Sequence, residues 1–201
     1  LGATDLQQVS FTRQSNGLLR IDADDPISFA RGLGYAHAHD RYVQLFTTRL
    51  IVQGRLSECL AATEESLMID KYMRQTGFVR NAERNLHALK QQNRKVAQAY
   101  ADGINAYLGN HSRSIEFVLA GYTPEPWTVL DSVSVATMVG YIGFASGQGE
   151  QEKFIIQALK SGNKNAKKIL QRLYKPHFDN IDDFLPEDIL NKVRVELPLV
   201  P

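Results

Sequence analysis

Two histidines and an aspartate stand within four positions of the stretch Gly32–Leu45, "GLGYAHAHDRYVQL". His37, His39 and Asp40 all carry side chains that ligate metals or move protons. Spacing decides between those uses. Phe29, Leu33, Ala36, Val43, Phe46 and Leu50 recur at rough helical intervals around them. Residues two apart on a helix face different directions, so the histidines would not share a metal. Zinc histidines on a helix stand four apart, as in H-E-x-x-H, a pattern missing here. Packed histidines bonded to their neighbours, with ion pairs around Asp40 and Arg41, are the favoured reading.

Other chemistry is equally incomplete. "GYIGFASGQGE" spaces Gly140, Gly143, Gly147 and Gly149 somewhat like a phosphate loop. No Lys-Ser/Thr follows it and no strand precedes it. Glycines in such a segment permit close packing or approach by a ligand. No G-x-S-x-G occurs, and Ser57, Ser132 and Ser134 have no evident base. Glu64, Glu65, Glu150 and Glu152 read by default as helix-surface charge. The residues by themselves define no self-contained active site.

The elements that must position these residues are mostly helical. "VSFTRQSNGLLRIDA" alternates in polarity around Asn16-Gly17 and predicts a hairpin near 7–23, expected to join a larger sheet. Asp25 as cap and Pro26 at the first position open a helix running to Gly54, with a possible break at Gly32 or Gly34. Helices follow near 66–76 and 78–89, and an amphipathic one over 94–110. "YTPEPW" is a loop. Asp131 then caps a segment, Asp131–Gly147, that is apolar nearly all round and is expected to be buried. Further helices are expected near 150–159 and 164–173, with an extended tail over 176–201.

The 201 residues suffice for a sizeable core, with 43% hydrophobic and 22% charged residues. A net charge of +1 offers no basic field for nucleic acid. A single cysteine, Cys59, excludes an internal disulfide and a cysteine-rich zinc site. No uninterrupted apolar run approaches the roughly 18 residues of a membrane span. A leading Leu and the apolar ending "VRVELPLVP" read as a processed piece whose tail needs a partner surface.

Five ordered elements then carry a specific resemblance. They are Gly34-Tyr35 with Ala38-His39-Asp40-Arg41 and Gln44-Leu45; Gly54-Arg55 with Glu58; Asp70 with Arg74; "YADGINAYL" from Tyr100; and "FVLAGYTPEPWTVLD" from Phe117. Together they resemble the small subunit of the penicillin acylase family, which includes acyl-homoserine-lactone acylases. His39 departs from the usual glutamine, and "SNGLLRIDA" replaces the usual G-x-P-H-I-x-A.

The resemblance implies a mainly α small subunit whose few strands complete the αββα sandwich of an N-terminal nucleophile hydrolase formed with a larger chain. It implies one unit over 1–201, a periplasmic or secreted location, and no catalytic residue in this chain. The nucleophile would be the N-terminal serine of the large subunit. An ungapped alignment from Trp127 implies substrate-pocket roles for Phe144, Gly140, Gly143 and Tyr141. It also implies a calcium (Ca2+) ligand at Glu150, or at Glu152 if the register slips by two. A helical adaptor that has lost catalysis is the competing reading.

Overall fold

The computed structural model describes residues 9–161 and 165–174, apart from the side chains of 145, 146, 150, 167, 171, 173 and 174. The expected tail over 176–201 lies outside the described residues. These residues form two compact units, divided between Val139 and Gly140.

The first unit opens on strands β1 (Val9–Arg13) and β2 (Leu19–Ala23), paired antiparallel with Phe11 opposite Ile21. Gly17 takes the positive φ that the turn demands, and the Asn16 side chain accepts from Leu18 N–H. Among the described residues the sheet has these two strands, and the larger sheet expected from sequence does not form within them. The hairpin is held to the next helix instead. Arg13 Nη2 donates to both Asp40 oxygens at 2.7 and 2.8 Å, and the Phe11 ring lies 6.1 Å from that of Tyr35.

Helix α1 (Pro26–Gln53) starts on the expected cap. Asp25 Oδ1 accepts from Ile27 and Ser28 N–H, and Gly54 closes the helix at φ 64°. The break falls at Arg41 (φ −135°, ψ 30°), not at the glycines. Gly32 and Gly34 serve close packing. A Cβ at Gly34 would stand 2.0 Å from the Tyr100 carbonyl oxygen, and one at Gly32 would stand 2.6 Å from Val9. Tyr100 belongs to α5 (Gln91–Asn110), where Gly103 returns the arrangement: its Cβ would meet Arg31 O at 2.0 Å. Small residues on both helices let two backbones approach more closely than side chains would allow.

Between these helices lie α2 (Leu56–Cys59), α3 (Glu64–Thr76) and α4 (Phe78–Ala88). Asp70 is buried and acts across sequence: its oxygens accept from Leu56 N–H and Ser57 N–H, each at 2.8 Å, and from Ser57 Oγ at 2.6 Å. Arg74 Nε donates to Gly54 O at 2.8 Å. The Asp70/Arg74 pair thus caps α2 and fixes the turn before it. Burial pushes the Asp70 carboxyl up, but hydrogen bonds from Ser57 and Leu56 and the Arg74 charge outweigh it, so the carboxyl titrates below its usual range.

The core gathers Ala38, Phe46, Leu50, Ala101, Ile104, Phe117, Tyr122 and Trp127. Into it runs Arg49, 2% exposed. Its Nη1 donates to the carbonyls of Glu125 (3.0 Å) and Pro126 (3.3 Å); its Nη2 donates to Tyr122 Oη (3.0 Å) and Glu125 Oε2 (3.1 Å). The guanidinium carbon lies 4.8 Å from the Phe46 ring centre and 5.5 Å from that of Trp127. The short α6 (Ile115–Leu119) and the proline loop are packed around this charge, and Asn105 clamps Trp127 by accepting from its N–H (2.7 Å) and donating to its carbonyl (2.8 Å).

Helix α7 (Val129–Lys160) carries residues of both units. Its cap is Thr128 rather than Asp131: Thr128 Oγ1 accepts from Asp131 N–H, while Asp131 Oδ2 accepts from Thr128 N–H and hydroxyl. This reciprocal capping box puts the acid at the third helical position. By length and composition α7 could cross a membrane, with one 18-residue window of mean hydropathy 1.4. A helix inside a protein interior meets the same test, and Asp131, Ser134 and Met138 near its start are buried here. The second unit packs Ile155 of α7 against Leu170 of α8 (Ala166–Tyr174).

Two outcomes test this scaffold. Arg49→Ala leaves the Glu125 and Pro126 carbonyls without their donor, while Glu125 keeps Arg55 and Tyr122 as partners, and is expected to cost about 2–4 kcal/mol in denaturant unfolding; a cost under about 1 kcal/mol contradicts the role given to it. The lowered Asp70 carboxyl contributes stability that is present above its unfolded value of roughly 3.9 and is lost as pH falls through its folded value. Asp70→Asn should therefore flatten the acid limb of a stability–pH curve, and an unchanged limb would contradict the assignment.

Candidate functional site

The His-Ala-His-Asp stretch resolves into separate contacts. His37 Nδ1 lies 2.9 Å from Tyr100 Oη, and burial, opposed by Asp40, lowers its basicity. His39 Nδ1 lies 2.7 Å from Asp40 Oδ1, with its ring edge-on to Tyr107 at 5.9 Å. The Arg13 guanidinium and then His39 hold the Asp40 carboxyl below the usual carboxylate range. The two histidines engage different elements, and Asp40 is occupied in tying the hairpin to α1. These are positioning contacts.

The three serines are also engaged or enclosed. Ser57 donates to Asp70, Ser132 Oγ accepts from Trp127 Nε1 at 2.8 Å, and Ser134 is buried with no hydrogen-bond partner for its hydroxyl among the described residues.

The residues assigned from the alignment lie on α7. Gly140, Gly143 and Phe144 fall at i, i+3 and i+4, so the helix brings them onto one stripe, which Gly147 extends. Phe144 is 89% exposed, and nothing stands within 4 Å of a Cβ built at any of these glycines. The stripe is therefore bare backbone beside one projecting ring. Val139, Ile142 and Phe154 are exposed as well. The expectation of a buried segment thus holds around Asp131, Ser134 and Met138 and fails from Val139 on, where the apolar pattern implies a need for cover that the described residues do not supply. Tyr141, one position off the stripe, is half-buried.

Glu150 is not brought to Phe144. Six residues along a helix amount to about 9 Å of rise and about 120° of rotation. Its backbone is helical and its side chain lies outside the described residues. Glu152 accepts from Gln148 Nε2 at 2.6 Å. Calcium takes 6–8 oxygen ligands. A carboxylate is the right donor type, yet among the described residues no three acidic, histidine or cysteine side chains gather for a metal.

Sequence reasoning missed Arg49 and the clamps around it. The available signal was a cation one position before Leu50 on an otherwise apolar helical face, three residues after Phe46. Asp70 and Arg74 were visible as a spaced pair without their partners, since Leu56, Ser57 and Gly54 lie 13–20 residues away.

Residues 8–186 match the family model described as penicillin amidase. Over 137 residues the chain is 34% identical to the acyl-homoserine lactone acylase QuiP of Pseudomonas syringae pv. tomato, covering 67% of this chain and 16% of that protein. It is 33% identical over 135 residues to the penicillin acylase 2 proenzyme of a Pseudomonas species, covering 67% and 17%. The chain therefore spans about a sixth of the length of these relatives. A crystal form of thermostable penicillin G acylase from Alcaligenes faecalis matches with a TM-score of 0.62 at 24% identity, over 82% of this chain and 90% of that one. At that identity the likeness speaks for the mainly helical fold with its two-stranded sheet. With the match running from the hairpin through α7 and α8, this chain belongs to the penicillin amidase family.

Proposed function

We propose that the chain is the small subunit of an acylase that hydrolyses the amide bond of N-acyl compounds and lines the acyl pocket with α7. The observation that carries this reading is the stripe Gly140, Gly143 and Phe144, uncovered and apolar, on a chain of this family. The names of the relatives, acyl-homoserine lactone acylase and penicillin acylase, support amide hydrolysis as the reaction class.

In this reading the nucleophile is the N-terminal serine of a larger partner chain produced by cleavage of a common precursor; one relative's name, proenzyme, supports such processing. The serine hydroxyl attacks the amide carbonyl while its own α-amine takes the proton, directly or through a water. Donors of the large chain stabilise the oxyanion, the amine leaves, and water releases the acid from the acyl-enzyme. The hairpin of this chain joins the large chain's sheets to complete an αββα sandwich. Glu150 contributes one carboxylate to a calcium ion held mainly by the large chain, and the assembly works in the periplasm or outside the cell.

Within this chain the chemistry is binding. Phe144 offers a ring face, and Gly140, Gly143 and Tyr141 set the width and wall of the channel beside it. Bare glycine backbone leaves room for more methylenes, each contributing about 1–3 kcal/mol to discrimination. The substrate acyl group is then longer or bulkier than phenylacetyl, a fatty acyl chain being the natural fit.

The test compares hexanoyl, decanoyl and phenylacetyl amides with the assembled two-chain protein. Longer alkyl chains should give the higher kcat/KM, and Gly140→Met should lower the decanoyl value by about tenfold or more while affecting hexanoyl less. A clear phenylacetyl preference, or a decanoyl rate indifferent to Gly140→Met, removes the long-chain assignment.

A further inference from the structure

A second concave feature lies in the first unit, apart from every residue given a role above in acyl binding. It encloses about 290 Å³ and is walled by Tyr42, Leu108, Pro124 and Pro126, with Arg113 and His111 as its cationic or protonatable lining. No aspartate or glutamate lines it. Arg113 and His111 are exposed at its mouth, so the cleft presents donors and positive charge to solvent beside its apolar walls.

The donors are held in place. Arg113 Nη1 donates to Tyr122 O at 3.1 Å and to Thr123 Oγ1 at 2.8 Å, which orients the planar guanidinium. Its Nη2 and Nε have no acceptor among the described residues. His111 Nδ1 donates to Tyr107 O at 3.0 Å, and its ring stacks on Tyr107 at 4.1 Å, so Nε2 is the polar atom that remains. Tyr42 Oη has no hydrogen-bond partner among the described residues. Burial, then the neighbouring Tyr107, push its phenol up against the opposing pull of Arg113 and Arg49, which leaves it a neutral donor.

Fixed donors, an unneutralised guanidinium and apolar walls are complementary to a small organic anion. We propose that this cleft binds a monocarboxylate with a short alkyl or aryl body, the carboxylate on Arg113 and Tyr42 and the body against Leu108, Pro124 and Pro126. The volume is at the lower end of ligand sites and admits a small acid rather than a peptide. The site stands independently of the acylase reading.

Calorimetric titration of the complete protein with phenylacetate and hexanoate, against phenylacetamide and hexanamide, tests it. The acids should bind saturably in the millimolar range or tighter, and the amides should not. Arg113→Gln should weaken acid binding about tenfold. Because Arg113 also holds the loop at Tyr122 and Thr123, Tyr42→Phe provides a second variant that removes only a hydroxyl; it should weaken binding about threefold or more. Equal binding of acid and amide, acid affinity unchanged in both variants, or no saturation up to about 20 mM would each overturn the proposal.

Discussion

Everything in the first unit is arranged around a charge that has no business in a core unless it is paired. Arg49 is buried among Phe46, Phe117 and Trp127, and an isolated guanidinium there would be prohibitively costly. The cost is offset by two loop carbonyls, a phenol, a carboxylate and two aromatic faces. The constraint propagates because the carbonyls belong to Glu125 and Pro126. A proline loop has few internal hydrogen bonds to define it, so its shape is dictated by what its carbonyls must reach. Arg49 therefore sets the loop, the loop sets Trp127, and Trp127 is followed at once by the Thr128–Asp131 box that starts α7.

The motif elements are brackets between distant parts of the chain. Asn105 holds Trp127, Asp70 caps α2, Arg74 holds the turn at Gly54, and Gly34 and Gly103 permit the α1–α5 approach. Each supplies a buried backbone group with its partner or removes a clash, and each depends on a specific side-chain geometry. Aspartate at 70 accepts three bonds with two oxygens, which an amide could not do with the same charge. Only glycine tolerates a carbonyl 2.0 Å from the place of its Cβ. The spacings recognisable in the sequence are thus the spacings of a scaffold, and the histidines among them share that role.

Local signals were legible where local physics decides. Asp25, Pro26 and Gly54 mark the ends of α1 because caps and turn glycines act within a few residues. Asn16-Gly17 marks the hairpin for the same reason. The break at Arg41 was not legible, since Gly32 and Gly34 mimic helix breakers while serving contacts with Val9, 23 positions back, and with Tyr100, 66 positions on. The capping of α7 was read one step wrong: Asp131 looked like the cap, but the Thr128 hydroxyl in the box takes that position. The cleft beside Arg113 was invisible, because its walls come from α1, α5 and the proline loop and share no pattern along the chain. The α7 stripe was reachable only through the family resemblance; periodicity marked it as apolar and stopped there.

The exposure of that stripe carries the last step. In the first unit the buried backbone of the proline loop is answered, down to the clamp of Asn105 on Trp127, though Arg49 Nε and the Ser114 and Ser134 hydroxyls have no hydrogen-bond partner among the described residues. Past Val139 the pattern changes: Phe144 projects into solvent, the neighbouring glycines offer naked backbone, and Ile142 and Phe154 are uncovered. A helix gains nothing by itself from glycines at i, i+3 and i+7, each of which costs about 1 kcal/mol against alanine. In the proposed function their use is close approach by the acyl group, with the 89% exposed Phe144 as its apolar anchor. The local conflict between helix propensity and sequence thus falls where binding is proposed.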